Sequence, residues 1–196
     1  MRVGFTRTAI LSLFALAITS SVAAPGQTAH AAVLSGTTMP DSVRIDQHLL
    51  RLNGVALYSR LGIPILVAGL WLDHRETDAE KILRSDTPRR YVTHFLRHVG
   101  AKRICDAWNK GLQANTPSAS ASVREQFHTL CSWTRDFRSG DEITVTYIPG
   151  RSSMVDMGGV RQGILPGKEF ADAYFACAIG PKPGPGEKFK KHLLGL

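Results

Sequence analysis

His94 and His98 stand four residues apart, the spacing at which a helix would turn two imidazoles towards one zinc ion. The residues around them do not read as a helix. From Arg89 to Arg97 the pattern has period two, with Tyr91, Thr93, Phe95 and Arg97 on one side and Val92, His94 and Leu96 on the other. That is a strand running into a loop, so hydrogen-bonded or surface histidines are expected instead of a metal site. Cys105, Cys131 and Cys177 lack the C-x-x-C spacing of zinc and redox sites. Two readings of them stand. Cys105 and Cys131, on the apolar faces of consecutive helical patterns, form one disulfide in an exported chain, or all three are buried thiols acting as small hydrophobes. Asp73, Asp78, Asp136 and Asp141 fall at the ends of elements, where caps and turns use carboxylates. Ser35, a serine beside a glycine, lies in a stretch expected to be loosely ordered, Ala32 to Asp41. No nucleophile, base and orienting acid come together, and the residues call for no cofactor.

The elements that would position any site are built around residues 52–72. Eight of the ten residues from Ile63 to Leu72 are apolar, and β-branched residues plus Trp71 favour a strand covered on both faces. Gly69 inside it marks a bulge or a close approach. Before it, Leu50, Leu52, Ala56 and Tyr58 share one parity of a strand over 49–58. Thr77-Asp78-Ala79-Glu80 reads as a capping box opening a short helix, and Ser122-Val123-Arg124-Glu125 as another. Helices are predicted over 101–114, 123–137 and 168–179, the first carrying Ile104, Cys105, Trp108 and Leu112 at helical spacing. Strands are predicted over 89–97, 142–148, 152–157 and 160–164, the last two joined by a Gly158-Gly159 turn. Lys188 to Leu194 closes the chain as a short helix. Strands, helices, then strands and a helix imply an α+β fold, an antiparallel sheet with a helical layer packed on one side.

The N-terminal residues form a separate unit. Arg2 and Arg7 make a basic region, Ala9 to Ile18 an apolar one, and small residues follow, with Ala29-His30-Ala31 as the preferred cleavage site. Residues 1–31 are therefore expected to be a signal peptide, and the mature protein to be periplasmic or secreted. The apolar run is about half a bilayer span, so no stable membrane insertion is expected after cleavage. Removal takes two arginines from a net charge of +8. The remaining basic residues are scattered, without the basic and aromatic interleaving of a nucleic-acid surface.

Leu52-Asn53-Gly54-Val55, a basic turn, and Val67-Ala68-Gly69-Leu70-Trp71-Leu72 resemble the opening hairpin of the bacterial chalcone isomerase-like domain. His94-Phe95-Leu96-Arg97-His98-Val99, Ala107-Trp108-Asn109-Lys110-Gly111-Leu112, Gly140-Asp141, Tyr147-Ile148-Pro149-Gly150 and Gly163-Ile164 with Phe170 follow in matching order. The resemblance covers 43–196. It implies an open-faced β-sandwich with a ligand between the long sheet and the helices. It also implies where catalytic groups should stand. The family's strand arginine is replaced by Tyr58, with Arg60 two residues on. The threonine of the second strand falls at Leu66, the helix tyrosine near Arg103 or Ile104, the asparagine near Asn109 or Lys110, and the hydroxyl of the last helix at Ala171. Cyclising a flavanone ring requires a stabilised phenolate and placed donors, which leucine and alanine do not supply. The leading expectation is a non-catalytic binder of an apolar carboxylate such as a fatty acid, a small lipid-like partner, with Tyr58, Arg60, Arg97 and Trp108 as the ligand-facing residues. An isomerase on another substrate, or a partner-binding domain with a filled core, are the other two readings.

Overall fold

Alternation, not propensity, lays down the sheet. In the computed structural model, which describes Met1 and residues 31–196, seven strands pair antiparallel in chain order. They are β3 (Ser42–Ile45), β4 (His48–Arg60), β5 (Ile63–Leu72), β6 (Arg89–Phe95), β7 (Glu142–Ile148), β8 (Ser152–Met157) and β9 (Val160–Pro166). The sheet curls into a half-barrel, and its helices pack on one face, the α+β fold expected. The expected signal segment, apart from Met1 and Ala31, lies outside the described residues.

The N-terminal stretch expected to be loose is instead a hairpin, β1 (Ala31–Leu34) and β2 (Thr37–Pro40), turning at Ser35 and Gly36 with φ of 50° and 78°. Its buried Met39 joins Leu50, Leu52, Val67, Trp71 and Val92 in a cluster on the sheet face away from the helices. The Trp71 indole N–H donates to Pro40 O at 2.8 Å. This hairpin is why β5 is buried on both faces from Val67 to Leu72. Gly69 is required by its neighbour, since a Cβ there would lie 2.5 Å from the Trp71 ring.

Strand β4 departs from simple alternation. Its register against β5 shifts between Leu52 and Gly54, leaving Asn53 as the extra residue of a bulge. Leu50 and Leu52 therefore face the hairpin, whereas Ala56 and Tyr58 face the helices, so the expectation that all four share one face is corrected. Asn53 is buried and satisfied. Its amide donates to Glu76 O and Leu193 O, and its carbonyl accepts from Glu76 N, each at 3.0 Å.

Among the described residues five helices cover the other face: α1 (Ala79–Arg84), α2 (Ala101–Asn115), α3 (Ala121–Trp133), α4 (Lys168–Ile179) and α5 (Glu187–Leu193). The α1 cap is Asp78, accepting from Glu80 N and Lys81 N, so Thr77 is not the capping residue. Likewise α3 is capped by Ser120, not Ser122, and ends at Trp133, because Phe137 leaves the helical path to bridge Val99. Cys105 and Cys131 form a disulfide between α2 and α3 with Cα atoms 5.4 Å apart, within the range such bonds need. Helix α4 is buried nearly all round, from Phe170 to Ile179, which makes it the centre of the layer.

Candidate functional site

Three of the four residues singled out from the sequence belong to one end of the sheet. Tyr58 pairs with Leu66, and both are half-buried against the main core. Arg60, paired with Ile63, is exposed at the tip of the β4–β5 hairpin. Arg97 lies beyond the end of β6, also exposed, and its Nε donates to Pro64 O at 3.1 Å. Neither arginine enters the interlayer space. Trp108 is placed by other contacts, with its ring centroid 6.1 Å from that of Tyr174 on α4.

Between sheet and helices, the family's polar positions are hydrocarbon or point outward. Leu66 and Ala171 pack on the core, Ile104 is buried, and Arg103, Asn109 and Lys110 are exposed. What the layer does hold is a pair of phenols. Tyr91 of β6, facing the helices four residues before Phe95, meets Tyr174 edge to face with centroids 6.3 Å apart. Tyr174 stands one helical turn after Ala171, on the same face of α4. Burial pushes both phenols above the ordinary tyrosine range, with the field of Tyr91 adding to the shift at Tyr174. Both are kept as neutral donors. Cys177, one turn on, is held against Ala173 O at 3.3 Å, and burial pushes its thiol up to about 12, too high for a nucleophile at neutral pH.

The interlayer also contains a residue that composition concealed. Arg89, expected among scattered surface charges, is wholly buried. Its Nη1 donates to Ile82 O at 2.6 Å, its Nη2 pairs with Asp172, and its guanidinium lies 5.1 Å from the Tyr147 ring centroid and 4.9 Å from that of Phe175. Lys168 holds the second Asp172 oxygen at 2.7 Å, and the Tyr147 hydroxyl donates to Asp86 at 2.6 Å. The signal was in the parity: Arg89 falls on the same strand face as Tyr91 and Phe95. An arginine with its carboxylate already beside it is a tether between β6 and α4, not a free anion receptor.

A cleft of about 610 Å³ opens at this end, between α1, the α2–α3 connection and the start of α4, lined by Arg84, Ser120, Lys168, Glu169 and Asp172 among others. Its charged groups have partners: Arg84 pairs with Glu80 outside the cleft, Lys168 pairs with Asp172, and Glu169 accepts from the Ser120 hydroxyl. None of Tyr58, Arg60, Arg97 or Trp108 lines it. The phenol pair and its aromatic surroundings are therefore the better candidate. They offer apolar rings and uncharged hydroxyls, but no base and no free cation.

The sequence profile described as chalcone isomerase-like matches residues 31–195. No curated protein matches the sequence. Among solved structures, the crystal structure of an Arabidopsis thaliana fatty-acid binding protein superposes with a TM-score of 0.65 at 16% identity, covering 84% of this chain and 96% of that one. With the family profile spanning the sheet, the helical layer and the phenol pair between them, the chain belongs to the chalcone isomerase-like family.

Proposed function

We propose that this protein is an exported, non-catalytic binder of an apolar molecule with a polar head, a fatty acid being the type, held between the sheet and the helices. The observation that carries the reading is the lining: Leu66, Ile104 and Ala171 stand where an isomerase needs donors, and the phenols nearby stay protonated. Transition-state charge would find no preorganised partner there. Burial supplies the affinity, roughly 0.8 kcal/mol for each CH₂ removed from water. An exposed arginine such as Arg60 adds about 0–1 kcal/mol to a carboxylate. The fatty-acid binding described for the Arabidopsis protein of the same fold agrees with this reading. The Cys105–Cys131 bond supports export, because such bonds persist in oxidising compartments.

Native mass spectrometry of the purified protein with extraction of bound lipid tests the binding, and the N-terminal mass tests export, expected to begin near Ala32. Naringenin chalcone assayed with wild type and Arg60→Ala should stay at the spontaneous rate in both. Turnover well above that rate, lost on Arg60→Ala, would make the protein an enzyme and overturn the proposal.

A further inference from the structure

The sheet has a second face, and an unspent cation lies in it. Arg90 follows Arg89 in β6 and so points the other way, on the side of Val92 and away from the helices. Its neighbours across the strands are Trp71 on β5 and Thr146 on β7. The Arg90 Nε is buried without a hydrogen-bond partner among the described residues, and so is the hydroxyl of Thr146, a residue 2% exposed. The two carboxylates whose fields reach Arg90 are engaged elsewhere. Asp156 accepts from Arg161 Nε at 2.6 Å, and Glu142 lies 3.0 Å from His94 Nδ1. Burial pulls the Arg90 guanidinium below the ordinary arginine range, because desolvation outweighs those two charges. A guanidinium that loses water without gaining a carboxylate is costly. Arg89 meets that cost with Asp172, whereas the described residues give Arg90 no such partner. The β1–β2 hairpin packs on this face over β4 and β5, but the row from Arg90 through Thr146 and Met154 ends at Ile164, which is 57% exposed.

We infer that Arg90 and Thr146 form an oxyanion site on the outer face of the sheet, for a carboxylate, sulfate or phosphate group. The planar guanidinium matches the spacing of two such oxygens, and the Thr146 hydroxyl supplies a further donor. A free anion and the head of an anionic amphiphile, its chain lying over Met154 and Ile164, share this chemistry. The site is on the opposite side of the sheet from the space between the layers, so it stands independently of the binding proposed above.

The test melts the full protein in sodium sulfate and in sodium chloride at equal ionic strength, as wild type, Arg90→Met and Thr146→Val. Sulfate stabilises most proteins by exclusion from their surface, so the readout is the gain of wild type over each variant. In chloride, Arg90→Met is expected to melt at or above wild type, since an apolar chain replaces an unpaired charge. In sulfate, wild type is expected to gain stability with the logarithm of anion concentration, and Arg90→Met to lack that gain. Calorimetric titration of sulfate should show Thr146→Val weaker by about tenfold, the worth of one hydrogen bond to a charged group. Decanoate, titrated below its micelle concentration, tells the two sources apart. Decanoate that weakens about tenfold on Arg90→Met, and weakens also on Ile164→Ser, supports the site with an amphiphile's head in it. Decanoate indifferent to both, with sulfate sensitive to Arg90→Met, supports it as a site for a free anion. An equal gain from sulfate in wild type and Arg90→Met overturns the proposal, as does a sulfate affinity untouched by Thr146→Val. An Arg90→Met variant melting well below wild type in chloride overturns it too, because the guanidinium would then be satisfied by the chain itself.

Discussion

The Arg89–Asp172 pair makes an asymmetric prediction. Removing Asp172 by Asp172→Ala leaves a guanidinium with no exposure, one carbonyl partner at 2.6 Å and no countercharge. Stranding one member of a buried ion pair costs about 3–5 kcal/mol. Removing Arg89 by Arg89→Met is milder. Asp172 is one-third exposed and keeps Lys168 at 2.7 Å, so it is never stranded. The loss there is a hydrogen bond to Ile82 O and the ring contacts with Tyr147 and Phe175, together about 1–3 kcal/mol. Joined in one chain, the two substitutions should be less damaging than Asp172→Ala alone, because the apolar side chain needs no partner. Urea unfolding of the four proteins, read as shifts in midpoint at constant slope, measures the cycle. An Arg89→Met variant that is as unstable as Asp172→Ala, or a double variant whose losses simply add, would refute the reasoning.

Three further outcomes follow from other contacts. Reduction of Cys105–Cys131, which spans 26 residues, should destabilise by about 3.5 kcal/mol in the chain-entropy account, read from melts with and without reductant. Gly54→Ala should cost about 1–3 kcal/mol, since its Cβ would lie 2.1 Å from the His192 carbonyl, and exchange of amides in α5 should rise first. Asp136 is held below the usual carboxylate range by the Ala101 N–H and by His98, and Asp141 by the Arg138 N–H and by Arg135. A carboxyl depressed on folding contributes stability that is present above its unfolded pKa and lost as pH falls through its folded one. Melting temperature should therefore drop on the acid side, and Asp136→Asn together with Asp141→Asn should flatten that drop while lowering stability at neutral pH.

Much of this architecture could be read from periodicity, and the failures have physical causes. Strand β5 and helix α4 were legible because a run of apolar residues or a continuous stripe leaves no alternative partner but the core. The Asn53 bulge was not, because alternation counts residues and a bulge adds one without changing residue type. The β1–β2 hairpin was missed because its short strands mix small and polar residues and its turn depends on a non-glycine residue, Ser35, at positive φ. Helix α3 was drawn too long because Phe137 keeps the helical spacing while pairing with Val99. The candidate site was legible as a list of what is missing, Leu66 and Ala171 in place of hydroxyls. Its phenols were hidden among core aromatics, and Arg89 was hidden by its charge. A buried arginine is recognised through the partner that matches it, here on a helix 83 residues away.

Helix α5 has a consequence for how the protein is made. Its last turn packs on the Asn53–Gly54 bulge through a hydrogen bond between residues 140 apart in the chain, and Phe189, Leu193 and Leu194 complete the core against β4 and α4. While residues 187–194 are still inside a ribosome, β4 has a bare apolar margin and Asn53 has an unmet donor. The nascent sheet and helices can collapse during that interval, but they cannot close. Final assembly of the core waits for residues 187–194 to emerge.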